Sequence, residues 1–248
     1  MHPLPDPRFS EFAFKKDLSS TPFVLRYRSM TRVLALRYLR ANGHLERKLV
    51  SANLEELMTV NGPMDLLERQ DCVLLLVDIQ KSMLDLCAEP DRISRNAAAL
   101  IEAGALFGIP VLFSVHNEPK LGGVLPELTG MVRGPRILDK MEFNCFENEA
   151  IRGAIGETGR KTLLLAGLEA HVCIFHTGLR ALRMGYRVHV AADAVTSRSL
   201  LNKEIGLRRI ETAGAVISST EMMLFELLNR AGTPEFRAAL PLIKRLQA

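Results

Sequence analysis

Three side chains of complementary chemistry stand at or just past the ends of apolar runs. Asp78 follows Cys72–Val77, Lys140 closes the stretch after Ile137-Leu138, and Cys173 comes shortly after Thr162–Leu168. A thiol, a carboxylate and a fixed cation are the parts needed to attack a carbonyl and shuttle the proton that the attack releases. Each residue also has a plainer reading. Aspartate is a preferred helix N-cap, a lone lysine is usually solvated, and cysteine is a small residue that is often simply buried. The other residues just past apolar runs are Gln80, Ser114, His116, Asn117, Glu118, Asp139, Glu169, His171 and Asp193. Cys173 is the sharpest candidate, because a strand, a short turn and a helix over Val172–Met184 put it in a first helical turn. Backbone N–H groups and the helix dipole favour the thiolate there and suit a developing oxyanion. Cys72, Cys87 and Cys145 read as inert buried thiols, and the four cysteines show no disulfide or metal spacing.

Positioning such residues together requires a sheet. Unbroken apolar runs at Cys72–Val77, Pro110–Val115, Thr162–Leu168 and Arg187–Ala192 read as strands, with Ala215–Ser218 weaker and Arg136–Leu138 short. Helical patterns over Arg92–Phe107, Asn144–Glu157, Val172–Met184, Lys203–Ala213 and Thr220–Ala231 lie between them. Strands buried on both faces and alternating with helices predict an α/β fold, a three-layer α/β/α domain around a mostly parallel sheet. In such a sheet ligands bind at the carboxyl ends of the strands, where these residues fall. The domain is expected over residues 68–248, behind an extension over residues 1–67.

That extension is basic. Residues 1–50 hold ten Lys/Arg against four Asp/Glu, a net +6 (10 − 4), so the overall net charge of +4 leaves the remainder at −2 (4 − 6). Residues 1–21 look irregular, and Arg26–Leu57 carries a helical apolar pattern. Three readings stand side by side: a helical extension packing on the core or on a partner subunit, an organelle-targeting segment, or sequence upstream of a true start at Met58 or Met64. No apolar run reaches the roughly 20 residues of a membrane span, and the N-terminus lacks the apolar core of a secretory signal. The expectation is a cytoplasmic protein with no membrane partner, organelle targeting left open. Nucleic acid is not an expected partner, because the basic stretch lacks interleaved aromatics and a recognised module.

The segments Leu75-Leu76-Val77-Asp78-Ile79-Gln80, Lys140-Met141-Glu142-Phe143, Leu165–Cys173 and Gly185–Ala194 together resemble the isochorismatase-like (cysteine hydrolase) superfamily over about residues 70–245. This superfamily includes nicotinamidase and N-carbamoylsarcosine amidase. Glu169-Ala170-His171-Val172-Cys173 and Ser197-Arg198-Ser199 are most similar to the isochorismatase domain-containing proteins. The resemblance implies a catalytic triad of Asp78, Lys140 and Cys173. It also implies a non-proline cis peptide before Glu169, and an oxyanion hole from the N–H groups of Glu169 and Cys173. The implied substrate pocket draws on Gln80, His116, Asn117, Phe143 and His171. The implied reaction is attack on an amide or ureido carbonyl, release of an amine or ammonia, and hydrolysis of a thioester.

Two departures shape the expectation. Nicotinamidases hold a metal through an Asp-x-His pair and further histidines, where this chain has His116-Asn117-Glu118. No metal or other cofactor is therefore expected, and nicotinamide is not the expected substrate. Isochorismatases of siderophore synthesis lack the cysteine, which this chain keeps. The partners expected are a small-molecule substrate and further copies of the chain, as a homo-oligomer. The competing reading is a non-catalytic interaction module. A redox role for Cys173 is disfavoured, because the sequence places no resolving cysteine beside it.

Overall fold

The computed structural model describes residues 66–246. The extension expected before residue 66 lies outside the described residues. The six strands are β1 (Cys72–Val77), β2 (Val111–His116), β3 (Arg136–Lys140), β4 (Thr162–Leu168), β5 (Arg187–Thr196) and β6 (Val216–Ser218). They form one all-parallel sheet in the order β3-β2-β1-β4-β5-β6. β1 and β4 are apolar at nearly every position and buried throughout, as central strands covered on both faces must be.

Helices close both faces. The longer ones are α2 (Pro90–Phe107), α5 (Glu149–Glu157), α6 (Phe175–Arg183), α7 (Leu200–Thr212), α8 (Thr220–Leu228) and α9 (Pro234–Leu246). Short α1 (Lys81–Leu84), α3 (Glu118–Leu121) and α4 (Pro126–Thr129) lie in loops. One core joins α2, α8 and α9 to Leu74, Leu76, Phe113 and Leu164; the other joins α5, α6 and α7 to Val73, Leu75, Leu112 and Leu165. Alternate residues of one strand thus feed opposite layers, as the pleat requires. Pro90 opens α2, where its missing N–H has no helical partner to lose. Asn148, Ser199 and Ser219 cap α5, α7 and α8 through their side chains.

Most strand ends match expectation within a residue or two; the helix expected over Asn144–Glu157 starts only at Glu149, α9 was not expected, and two further segments differ. β5 continues to Thr196 rather than Ala192, helped by a register irregularity against β4 between Leu165 and Gly167. The helix expected over Val172–Met184 begins instead as a wide π-turn over Ala170–Ile174, before α6 starts at Phe175. In that turn the Glu169 carbonyl accepts from Val172 N–H at 3.0 Å and from Ile174 N–H at 3.2 Å. No helix among the described residues is long and apolar enough to cross a membrane.

Candidate active site

The strand order places β2 and β3 on one side of β1, and β4 on the other. The chain therefore switches direction across the sheet between β1 and β4, the position where open parallel sheets form a ligand crevice. Asp78 stands at the end of β1, Lys140 ends β3, and Cys173 lies in the turn after β4. Gly167 lets these strand ends come close: with φ +120°, it presses so tightly on β1 that a Cβ there would lie 2.0 Å from the Val77 carbonyl oxygen. Only glycine fits next to the residue that precedes Asp78.

The three side chains meet. Lys140 Nζ donates to Asp78 Oδ2 at 2.6 Å and to Cys173 Sγ at 3.8 Å. Both members of the ion pair have fully buried side chains, and Cys173 is 4% exposed. Burial alone pulls an ammonium toward neutrality, but the Asp78 carboxylate beside Lys140, with the thiols of Cys173 and Cys145, outweighs it and holds the lysine protonated. For Cys173 the balance runs the other way. Burial raises its pKa, and the neighbouring Asp78 carboxylate raises it further, against a smaller lowering by Lys140. The resting group is thus the thiol. This corrects the expectation of a thiolate stabilised by a helix start, because desolvation and a nearby negative charge exceed what one turn of backbone dipoles supplies.

The remaining expected residues divide. Gln80 is wholly buried, and its amide is spent on backbone: Nε2 donates to the carbonyls of His116 (3.1 Å) and Gly122, and Oε1 accepts from His116 N–H at 2.7 Å. It braces the end of β2 and the loop that follows. Asn117 takes the left-handed conformation at φ +49°, and its N–H donates to the Lys140 carbonyl at 3.0 Å, so it fixes the chain reversal beside the lysine. His116 stacks on Phe143 at 5.7 Å, and Phe143 meets His176 edge-on at 6.3 Å. The His116 Nδ1 is buried without a hydrogen-bond partner among the described residues. His171 Nδ1 lies 3.0 Å from Ser197 Oγ. Glu169 is buried, and its carboxylate accepts from Arg198 N–H at 3.0 Å and from Arg198 Nε at 3.2 Å.

No cis peptide occurs among the described residues, so the bond expected to be cis before Glu169 is trans. The reversal there is made by the positive φ of Gly167 and by the wide turn that follows. No group of three or more His, Cys, Asp or Glu among the described residues is arranged to hold a metal ion. A groove of about 260 Å³ runs along α6, lined by Phe143, Asn144, Glu147, His176, Arg180 and Arg183 among others; Asp78, Lys140 and Cys173 do not line it.

Sequence reasoning gave no role to Ser114 and read Cys145 as inert. Ser114 is the polar residue inside the run Val111–Val115, in register with Val77, and a buried hydroxyl in a sheet interior demands a partner. That demand was the available signal. Cys145 sits in a 3₁₀ turn (Cys145–Glu147) whose first N–H donates to Thr177 Oγ1 at 3.0 Å. This fold-back puts a second thiol near Lys140, where spacing alone showed none.

Residues 72–222 match the Isochorismatase domain. The chain is 34% identical over 176 residues to the secreted isochorismatase effector Isc1 of Phytophthora sojae, spanning 69% of this chain and 84% of that relative. YcaC from Pseudomonas aeruginosa, solved with hexane-2,5-diol and covalent acrylamide, is similar at a TM-score of 0.68 and 28% identity, covering 74% of this chain and 96% of its own. The Escherichia coli YcaC gene product, described as an octameric hydrolase of unknown specificity, gives 0.67 and 26%, covering 75% and 91%.

Proposed function

The chain belongs to the isochorismatase family, and from that premise we propose that it is a cysteine hydrolase that cleaves a C–N bond of a small amide or ureido compound. One observation carries the reading: a buried lysine sits 2.6 Å from Asp78 and 3.8 Å from Cys173, joining base and nucleophile. Burying an ion pair is expensive unless the pair is well used, and a fold needing only stability would do as well with apolar residues.

The steps follow from the resting charges. Cys173 sulfur attacks the substrate carbonyl carbon while Asp78 takes the thiol proton. The carbonyl oxygen gains the negative charge and is held by backbone N–H groups, those of Glu169 and Cys173 being the candidates. Collapse of the adduct breaks the C–N bond, and Asp78 returns the proton to the departing nitrogen. Water then loses a proton to Asp78, attacks the thioester and releases the acid, and the proton returns to Cys173. Lys140 keeps its charge throughout and steadies the carboxylate and the transient thiolate. His116, Asn117, Phe143 and His171 are the proposed rim of the substrate pocket. Assembly into a homo-oligomer is part of the proposal, supported by the octameric bacterial relative.

The test compares wild type with Cys173→Ala on a panel of small amides and ureido acids, measuring released ammonia. Wild type is expected to release it from at least one compound, with the variant at background. Equal rates on every compound would refute the hydrolase reading and leave a non-catalytic module.

A further inference from the structure

The Asp78 carboxylate is held from two sides. Lys140 takes Oδ2, and the Ser114 hydroxyl donates to Oδ1 at 2.7 Å. Ser114 also holds the backbone of the same residue, because its carbonyl accepts the Asp78 N–H at 3.0 Å. Asp78 needs that grip, since its φ of +55° is one that few residues other than glycine adopt. Behind Ser114, the Cys145 thiol donates to the hydroxyl oxygen at 3.8 Å, and both residues are fully buried. A hydroxyl that accepts from a thiol on one side has its own hydrogen free for the carboxylate on the other.

We propose that Ser114 is the positioning residue for the base: it orients the Asp78 carboxylate beside the Cys173 thiol, with Cys145 setting the direction of the hydroxyl. The proposal rests on the cysteine-hydrolase reading. The titratable groups that face Asp78 are Lys140 from β3, Cys173 from the turn after β4 and Cys145 from the turn after β3. Lys140 is committed to Oδ2 and Cys145 reaches the carboxylate only through the serine, while the Cys173 hydrogen bond to the carboxylate carries the very proton to be transferred, which leaves Ser114 as the donor that stays. A serine needed merely to fill space in β2 would be matched by alanine, which leaves no buried hydroxyl to satisfy.

The test needs no substrate. Labelling of Cys173 by iodoacetamide is followed by peptide mass spectrometry from pH 4 to 9, in wild type, Ser114→Ala, Ser114→Thr and Cys145→Ala. The acid limb of the labelling profile is the readout, and Asp78→Asn is expected to abolish it. Ser114→Ala removes a donor to the ionised carboxylate, so the carboxyl binds its proton roughly tenfold more tightly and the limb moves up by about one pH unit. Ser114→Thr keeps the hydroxyl and restores the wild-type limb, and Cys145→Ala moves it in the Ala direction by less. Coincident limbs for wild type and Ser114→Ala, with Cys173 still the labelled residue, would overturn the proposal and spare the hydrolase reading. A limb unchanged in Asp78→Asn would instead sink that reading. If Ser114→Ala does not fold, Ser114→Cys supplies the same comparison, because a thiol is a weaker donor; an unmoved limb there also overturns the proposal.

Discussion

Replacing Lys140 by methionine tests the electrostatic frame of the site directly. The pair it breaks is 2.6 Å long with both side chains fully buried. Two unit charges at that separation attract by about 6 kcal/mol at an effective dielectric constant near 20, and removing one partner of such a pair typically costs about 3–5 kcal/mol. A second argument bounds the loss. A buried carboxyl stripped of its cation takes up a proton, and for an ordinary carboxyl that costs about 4 kcal/mol at pH 7 but only about 1.5 kcal/mol at pH 5. Lys140→Met is therefore expected to lose about 4 kcal/mol at pH 7 and to recover most of that by pH 5. The sign agrees with linkage: a variant that holds a proton its unfolded chain lacks grows less stable as pH rises. Urea unfolding followed by circular dichroism at both pH values, at one fixed protein concentration, measures this. The double variant Lys140→Met/Asp78→Asn should regain most of the stability and none of the Cys173 reactivity. A loss below about 1 kcal/mol at pH 7, or an equal loss at both pH values, would refute the reasoning that a buried charge stripped of its partner dominates the cost.

Three further outcomes follow from the same structure. His189 is buried in β5 with both ring nitrogens unpartnered among the described residues, and burial, aided by Arg187, lowers its pKa to about 4. A depressed base contributes stability above the unfolded value that is lost as pH falls from about 6.5 toward 4; about 3 kcal/mol should vanish there, and a pH series on His189→Leu should be flatter. Burial raises the thiols of Cys72 to about 12 and of Cys145 to about 11, so their stabilisation is present below the unfolded thiol pKa and lost as pH rises through those values. Unfolding midpoints should therefore drop from about pH 9 to about pH 11, and less so in Cys72→Ala. Gly206 in α7 packs on the turn that carries Cys173, where an added Cβ would lie 2.7 Å from the His171 Cα; Gly206→Ala should destabilise by about 1–3 kcal/mol and slow Cys173 labelling, and an unchanged labelling rate would count against this contact.

The sheet, and the meeting of Asp78, Lys140 and Cys173 at its edge, were legible because each rests on local chemistry. Cys72–Val77 and Thr162–Leu168 are apolar at nearly every position, a pattern that only a strand covered on both sides accounts for. The three polar residues then stand where such runs stop. What stayed hidden depends on distance in space. The resemblance implied a pocket role for Gln80, and only the structure shows its amide bonded to the backbone of His116 at the end of β2, 36 residues away. The charge state of Cys173 was misjudged because helix position is visible in sequence and burial beside Asp78 is not. Helix α9 was not among the expected helices; it carries Pro241 inside it and buries Ala239, Leu242 and Ile243.

The strand order has a consequence for when the thiol becomes reactive. Asp78 and Lys140 meet across 62 residues of chain, and Lys140 and Cys173 across 33. Every strand pair that brings them together is parallel, so each awaits a crossover and none can close as a local hairpin. During synthesis Asp78 emerges first and Cys173 last. A partly folded chain consequently carries Cys173 as one ordinary thiol among four, with nothing beside it to take its proton. Cys173 gains its two neighbours only when β1 to β4 have paired, and the rate at which it becomes selectively labelled during refolding reports on the slowest of those three pairings.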